Sequence, residues 1–239
     1  MGAKTALRLG GGLLSGTIAA VKQINPRVKV YGVQAANAPS MYESRKQGEQ
    51  ITLKAVSTFA DGIAVKHFAD SISVLSATEI PQGARILDVG TGAGFPGIPL
   101  LIMRPDIDLT MIDSTAKKLK YVENTVNELG LIATTLHTRA EEAGQSKEYR
   151  EKFDIVCSRA VAALNVLCEY CLPFVKQNGL FIAMKGAKAQ EEIDAAKSAI
   201  KTLGGKIVAE KSFTLSDGGE RTLVVIKKIS QVPPKYPRP

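Results

Sequence analysis

Residues 86–100, Ile-Leu-Asp-Val-Gly-Thr-Gly-Ala-Gly-Phe-Pro-Gly-Ile-Pro-Leu, join an apolar segment of strand length to a turn dense in glycine. Gly90, Gly92 and Gly94 can adopt positive φ and have no Cβ atom, so the backbone can turn sharply and a ligand can lie against the peptide groups. Such a ligand would meet unpaired N–H groups at the start of the following helix. The stretch therefore predicts a strand, a turn and a helix that bind a nucleotide-like cofactor.

Two cofactors fit this turn. Gly92, Gly94 and Gly97 have the spacing G-x-G-x-x-G, which is expected for a dinucleotide pyrophosphate. Asp88 favours a different ligand, because a carboxylate two residues before the first glycine repels a pyrophosphate but suits the cationic aminopropyl group of S-adenosylmethionine. Asp113, at the end of the next predicted strand, is the expected acceptor for a ribose diol. S-adenosylmethionine is the predicted cofactor, and a dinucleotide-dependent oxidoreductase is the alternative.

The composition indicates a globular protein of the cytoplasm. The 239 residues can bury a full α/β core with a smaller appendage. The chain has no apolar run of the ~18 residues that a membrane span needs, and its first residues do not resemble a signal peptide. Three cysteines are too few for a disulfide framework, and Cys168 and Cys171 fit an apolar helical pattern. Neither the cysteines nor the two histidines have the spacing of a metal site.

The formal charge of +8 gives only weak support for nucleic-acid binding. Residues 1–66 contain nine Lys and Arg against three Asp and Glu, so most of the excess lies in that part of the chain. Net charge bears on solubility and non-specific binding more than on fold.

From residue 84 onward, apolar segments of strand length alternate with amphipathic segments of helix length, which predicts a parallel sheet covered by helices. The predicted strands are 85–88, 109–113, 133–137, 153–158, 179–185, 206–213 and 222–227, and the predicted helices are 97–103, 115–129, 140–144, 162–173 and 189–203. The turn over 216–220 indicates that the last two strands form an antiparallel edge. The prediction is an α/β class I methyltransferase-like Rossmann fold with a mainly parallel seven-stranded sheet and an antiparallel edge strand.

Residues 1–66 predict a separate α/β appendage. The segment Gly10-Gly-Gly-Leu-Leu-Ser-Gly16 begins a predicted helix to about Ile24, residues 28–34 predict a buried strand, and residues 38–47 predict another helix. N–H donors at the start of the first helix could hold a phosphate.

From His67 to the end, the chain resembles the bacterial small-subunit ribosomal RNA guanine-N7 methyltransferases, also called glucose-inhibited division protein B. The motifs that carry the resemblance are Lys66-His67-Phe68, Asp70-Ser71, residues 88–100, Asp113-Ser114, Lys117-Lys118, residues 139–142, residues 158–162, Lys185-Gly186 and Lys235-Tyr236-Pro237-Arg238. The resemblance implies methyl transfer to small-subunit ribosomal RNA, free or in a ribosomal particle. It also implies that Gly90, Phe95, Ala140, Glu141 and Arg159 line the S-adenosylmethionine site.

Residues 9–66 instead resemble a fragment of threonine dehydratase, a pyridoxal-phosphate enzyme, and the segment with its Schiff-base lysine is absent. The predicted organisation is therefore a chimera, with a foreign α/β segment at 1–66 and a methyltransferase domain at 67–239. A chimera that binds the cofactor but does not methylate RNA is a further hypothesis.

Guanine N7 has a lone pair and no proton, so the chemistry needs placement rather than a general base. Arg159, Ser158 and Lys185 are predicted to orient the reactants, because they lie near the ends of predicted strands, where such sheets bind ligands. Arg159 could bind the methionine carboxylate or guanine O6, or could instead pair with Glu141 or Glu142. The full set of predicted cofactor-binding residues is Asp88, Gly90, Gly92, Gly94, Phe95, Asp113, Ser114, Ala140, Glu141 and Arg159.

Overall fold

The computed structural model describes residues 4–7, 29–32, 61–215 and 218–238, with side chains from His67 onward. The chain divides into two compact units, Met1–Phe68 and Ala69–Pro239.

In the first unit, β1 (Lys4–Leu7) and β2 (Lys29–Gly32) form a two-stranded parallel sheet. The strand predicted within residues 28–34 is thus confirmed. The helices predicted before Ile24 and over 38–47 lie outside the described residues.

The rest of the chain alternates strands and helices. In order, these elements are α1 (Asp61–Ile72), α2 (Val74–Ala77), β3 (Arg85–Val89), α3 (Gly97–Met103), β4 (Asp108–Asp113), α4 (Ala116–Glu128), β5 (Thr134–His137), α5 (Ala140–Gln145), β6 (Phe153–Arg159), α6 (Leu164–Cys171), a 3₁₀ turn (Leu172–Phe174), β7 (Val175–Lys185), α7 (Ala189–Thr202), β8 (Gly205–Thr214) and β9 (Glu220–Lys228). Every strand and helix predicted after residue 84 is confirmed, with its ends shifted by a few residues. α1 and α2 were not among the predicted helices.

Seven of these strands form one sheet in the order β5-β4-β3-β6-β7-β9-β8. All neighbours from β5 to β7 are parallel. β9 runs antiparallel to both β7 and β8, so the predicted antiparallel pair closes one edge, with β8 outermost. The class I methyltransferase-like fold predicted from the sequence is confirmed.

Apolar side chains explain why these segments become central strands and covering helices. Residues 86–89 of β3 are all buried, as expected for a parallel strand covered on both faces. On α4, Leu119, Val122 and Val126 are the buried residues, and their spacing defines one apolar face. Cys168 and Cys171 belong to the buried core, as predicted.

The order of the strands fixes where a ligand can bind. The chain passes from β3 outward to β4 and β5, and then returns to the other side of β3 to form β6 and β7. Open α/β sheets bind ligands at the carboxyl ends of the strands where this reversal occurs. The turn after β3 and the end of β6 both lie at this position. Within the described ranges, no helix has the length and apolar character needed to span a bilayer.

Candidate active site

The glycine turn begins directly after β3 and is fixed by backbone hydrogen bonds. The N–H groups of Gly90 and Thr91 both donate to the Ile112 carbonyl, at 2.9 and 3.0 Å. Gly90, Gly92 and Gly94 have φ values of +71°, +59° and +92°, so the left-handed conformation predicted for them is present.

Asp88 lies beneath this turn and is completely buried. Its Oδ2 accepts hydrogen bonds from the Thr91 hydroxyl at 2.7 Å and from the Gly97 N–H at 2.9 Å. Its Oδ1 is buried with no hydrogen-bond partner among the described residues. Burial raises the pKa of Asp88 to about 6, although Thr91, Gly97 and the charge of Arg159 offset part of the rise. Asp88 therefore ties both ends of the turn together and retains one unpaired acceptor atom.

Asp113 ends β4 and binds the backbone on both sides. Its Oδ2 accepts from the Gly92 N–H at 3.0 Å, and its Oδ1 accepts from the Thr115 N–H at 2.8 Å. Ser114 is exposed, and its carbonyl lies 3.0 Å from Nε2 of His137, at the end of β5. Hydrogen bonds thus join the carboxyl ends of β3, β4 and β5 and the loops that follow them.

Ala140 and Glu141 begin α5, directly after β5 and its short loop. The first N–H groups of a helix have no intrahelical acceptor, so they can donate to a ligand. Glu141 accepts from the Arg139 guanidinium at 2.6 Å. The alternative pairing of Arg159 with Glu141 or Glu142 is not observed, because Arg159 has other partners.

The Arg159 side chain extends from the end of β6 over the ring of Phe95, with Cζ 5.2 Å from the ring centroid. Its Nη1 is 3.3 Å from Oδ2 of Asp70, and the same oxygen lies 3.4 Å from Nε of Arg221. Two guanidinium groups therefore share one carboxylate at this corner of the site. This corner is suited to hold an anionic group such as a carboxylate.

Asp70 and Arg221 were not among the predicted site residues. Asp70 belongs to a motif of the family resemblance, so the sequence contained a signal for it. Arg221 follows the turn between β8 and β9, and no pattern in the sequence linked it to β6.

Val161 was also not among the predicted site residues, although it belongs to the motif at residues 158–162. It is 41% exposed, although it is apolar, and it lies against the glycine turn. A Cβ atom on Gly90 would be 2.5 Å from Cγ2 of Val161, which is closer than packed carbon atoms can approach. Gly90 is thus needed for its lack of a side chain as well as for its positive φ.

Ser158 and Lys185 are placed differently from expectation. The Ser158 hydroxyl is fully buried and donates to the Val89 carbonyl at 2.8 Å, which links β6 to β3. The Lys185 ammonium is buried between the Ala162 carbonyl and Oε2 of Glu192, both at 2.7 Å. Both polar groups bind the protein itself, and their predicted roles in orienting the reactants remain predictions.

The three cysteines are buried in the core. Burial raises the pKa of the Cys168 thiol to about 12 and raises the pKa values of Cys157 and Cys171 as well, so all three stay protonated at neutral pH. Among residues 67–215 and 218–238, no three His, Cys, Asp or Glu side chains are grouped as metal ligands.

The sequence of residues 43–224 matches the family model described as GidB, rRNA small subunit methyltransferase G. The ribosomal RNA small subunit methyltransferase G of Lactobacillus acidophilus is 51% identical over 180 residues, which make up 74% of this chain and 75% of that protein.

Solved structures show the same architecture. Geranyl diphosphate C-methyltransferase from Streptomyces coelicolor A3(2), in complex with Mg²⁺, geranyl diphosphate and S-adenosyl-L-homocysteine, superposes with a TM-score of 0.53 at 10% identity, over 67% of this chain and 79% of that chain. The [4+2]-cyclase SpnF superposes with a TM-score of 0.57 at 13% identity, over 80% of this chain and 92% of that chain. At such low identity these likenesses show the fold alone, which hosts more than one chemistry.

Proposed function

Because the chain belongs to the GidB family of rRNA small subunit methyltransferases, we propose that it transfers the methyl group of S-adenosylmethionine to N7 of a guanine in small-subunit ribosomal RNA. The family match carries this proposal, because residues 43–224 include every predicted site residue from Asp88 to Arg159. The same match favours the methyl donor over the dinucleotide that the glycine spacing alone would also allow.

The residues at the carboxyl ends of the strands fit S-adenosylmethionine, which when bound supplies an electrophilic methyl group on a sulfonium. The unpaired Oδ1 of Asp88 provides negative charge beneath the turn for the ammonium end. Asp113, already oriented by two backbone N–H groups, accepts from the ribose hydroxyls. Ala140 and Glu141 contact the adenine edge. Ser114 lies in the chain between Asp113, which contacts the ribose, and these two residues.

Arg159 has the central orienting role in this proposal. Its guanidinium is held over Phe95 and beside Asp70, so little side-chain freedom remains to be lost when it binds an anion. It binds the methionine carboxylate, or O6 of the target guanine, and thereby fixes one reactant relative to the other. Phe95 and Val161 provide apolar surface that keeps water from the reacting atoms.

No general base is required, because N7 of guanine is methylated at a lone pair and loses no proton. The protein contributes alignment of the two reactants at attack distance. Ser158 and Lys185 support this indirectly: Ser158 joins β6 to β3, and Lys185 holds the loop that carries Val161 by binding the Ala162 carbonyl.

The partner in this proposal is small-subunit ribosomal RNA or the ribosomal particle, which places the activity in the cytoplasm. Phosphate contacts would come from basic side chains around the sheet edge and the chain end. The basic side chains available for such contacts are Lys117, Lys118, Lys120, Lys185, Lys188, Lys227, Lys228, Lys235 and Arg238. Lys228 is buried and paired with Glu151, and Lys185 is buried as described above, so the exposed lysines of α4 are the better candidates.

A second candidate function is a chimeric protein that binds the cofactor but does not act on RNA. It is supported by the resemblance of residues 9–66 to threonine dehydratase, with a foreign segment at 1–66 and a methyltransferase domain at 67–239. The family match reaches upstream of that boundary, to residue 43. Loss of RNA methylation would then come from the segment before the methyltransferase domain, while the cofactor site is kept.

Calorimetry with S-adenosylhomocysteine and with NAD tests the cofactor, and transfer of a labelled methyl group to small-subunit particles separates the two candidates. The proposal predicts binding of S-adenosylhomocysteine, no binding of NAD, and label in the ribosomal RNA. Binding without transfer would favour the inactive chimera. Binding of NAD alone would overturn the methyl-donor assignment.

A further inference from the structure

The motif Lys235-Tyr236-Pro237-Arg238 has no task in the site described so far. It lies in residues 232–238, which follow β9 and which we call the strap. The strap is neither helix nor strand, yet Val232 and Pro237 are buried within it. A segment without regular hydrogen bonding stays in one place only if other residues bind its backbone.

Arg150 supplies two of the hydrogen bonds to the backbone of the strap. Its Nη1 donates to the Tyr236 carbonyl at 2.8 Å and to the Gly144 carbonyl at 2.9 Å, and its Nη2 donates to the Val232 carbonyl at 3.0 Å. One guanidinium thus joins two points of the strap to the last turn of α5.

The strap and α5 are also in direct contact. Nε2 of Gln145 donates to the Pro237 carbonyl at 2.8 Å. A Cβ atom on Gly144 would lie 2.9 Å from Cγ of Pro237, so the strap packs against bare backbone of this helix. α5 has only six residues and begins at Ala140, so any shift of its last turn also moves its first turn.

The end of the strap is fixed to α6. Arg238 forms a two-pronged ion pair with Glu169, with Nη2 to Oε2 at 2.7 Å and Nε to Oε1 at 2.9 Å. α6 also packs against α5. In the residue after Glu169, burial and the Glu141 carboxylate raise the pKa of the Tyr170 hydroxyl. The strap therefore reaches Ala140 and Glu141 through α5 and also through α6.

We propose that Arg150 is a positioning residue, which ties the strap to α5 and so sets Ala140 and Glu141 against the adenine ring of the cofactor. This inference rests on the proposed function and adds a determinant of specificity for adenine over other bases. The glycine turn and Arg159, which serve the methionine end, have no hydrogen bond to Arg150 among the contacts of the described residues. Loss of Arg150 should therefore reduce recognition of the base more than binding of the rest of the cofactor.

The test compares S-adenosylhomocysteine with S-inosylhomocysteine, in which a carbonyl replaces the 6-amino group, by calorimetry on the full chain. The variants are Arg150→Met and Gly144→Ala, the second of which pushes Pro237 away from a helix that tolerates alanine. Arg104→Met is the matched control, because Arg104 also donates to two backbone carbonyls, those of Ile80 and Pro81 in the loop before β3.

We expect the wild-type protein to prefer S-adenosylhomocysteine and Arg150→Met to lose about tenfold of that preference, with little change in affinity for S-inosylhomocysteine. Gly144→Ala should show the same change to a smaller degree, and Arg104→Met should keep the wild-type preference. Equal weakening of both ligands, or an unchanged preference in both variants, would overturn the positioning role while leaving the proposed function intact. A wild-type protein that binds neither ligand would instead refute the proposed function itself.

Discussion

The two oxygens of the buried Asp88 carboxylate have different surroundings. Oδ2 accepts from Thr91 and Gly97 and holds the glycine turn, and Oδ1 has no hydrogen-bond partner among the described residues. The sequence predicted the charge interaction with the ammonium group, but it gave no indication that the same side chain supports the turn from below.

Replacement of Asp88 separates these two tasks. We expect Asp88→Ala to weaken S-adenosylhomocysteine binding by about 1–3 kcal/mol, because it removes both the support of the turn and the negative charge. Asp88→Asn should lose less, since its amide oxygen still accepts from Thr91 and Gly97. Calorimetry measures both, and an Ala variant with wild-type affinity would contradict a role for Asp88 in the site.

Asp88 should also make stability depend on pH. Its pKa rises from 3.8 to about 6 on folding, so the folded state binds the proton more tightly and stability falls as pH rises between those values. The cost of the ionised form is about 3 kcal/mol and persists above pH 6. Chemical unfolding should therefore show that Asp88→Asn loses about 1 kcal/mol less stability than the wild type between pH 5 and pH 7.5. Parallel pH profiles would count against the raised pKa.

Arg159 offers a matched pair of variants, because Arg85 also lies over a phenylalanine ring, at 5.2 Å from Phe153 and beside Asp108. Arg159→Met should raise KM for S-adenosylmethionine or lower kcat by about tenfold to a hundredfold, as expected for a lost charged hydrogen bond. Arg85→Met, at the amino end of β3, should leave both constants near wild type. Equal effects of the two substitutions would indicate that only stability is involved.

Single-residue roles were predictable from the sequence only where backbone geometry dictates them. Positive φ at Gly90, Gly92 and Gly94, and an acid at the end of β4, follow from local pattern. The engagement of Ser158 with Val89 and of Lys185 with Glu192 depends on partners 69 and 7 residues away, respectively, so strand-end position alone could not reveal it.

At the scale of elements, hydrophobic periodicity predicted every strand and helix after residue 84, because buried parallel strands and one-faced helices have different repeats. The position of β9 between β7 and β8 depends on pairing between distant segments, and the turn signal indicated only that the two strands are antiparallel. The strap has no repeat at all, and its position depends on hydrogen bonds to Arg150, Gln145 and Glu169.

The contact between the turn after β3 and the loop after β6 can be tested by a double mutant. Gly90→Ala should abolish measurable S-adenosylhomocysteine binding, because the new methyl group adds a steric clash with Val161 to left-handed strain of about 1–2 kcal/mol. Val161→Ala on the Gly90→Ala background should restore part of the affinity by removing the clash. Gly83→Ala is the control, because Gly83 also has a positive φ of +70° but no atom lies within 4 Å of the added Cβ. This variant therefore shows the effect of left-handed backbone strain without a steric clash. Failure of Val161→Ala to give any recovery would refute this contact.

For the whole molecule, two observations support the same function. One is the family match, and the other is that Asp88, Asp113, Ala140 and Arg159 all lie near the carboxyl ends of the parallel strands. Composition could not have supplied it, because the excess positive charge lies mostly within residues 1–66. The identity of the substrate comes from the family match, and the geometry adds how a methyl transfer without a general base can be arranged.

Methylation of guanine N7 is best tested by methyl transfer from labelled S-adenosylmethionine to small-subunit ribosomal particles. The RNA is then digested, and the labelled nucleoside is identified by mass spectrometry. We expect label in 7-methylguanosine, and a loss of most of that label with Arg159→Met but not with Arg85→Met. Label in a different nucleoside, or none in particles incubated with a protein that binds S-adenosylhomocysteine, would contradict it.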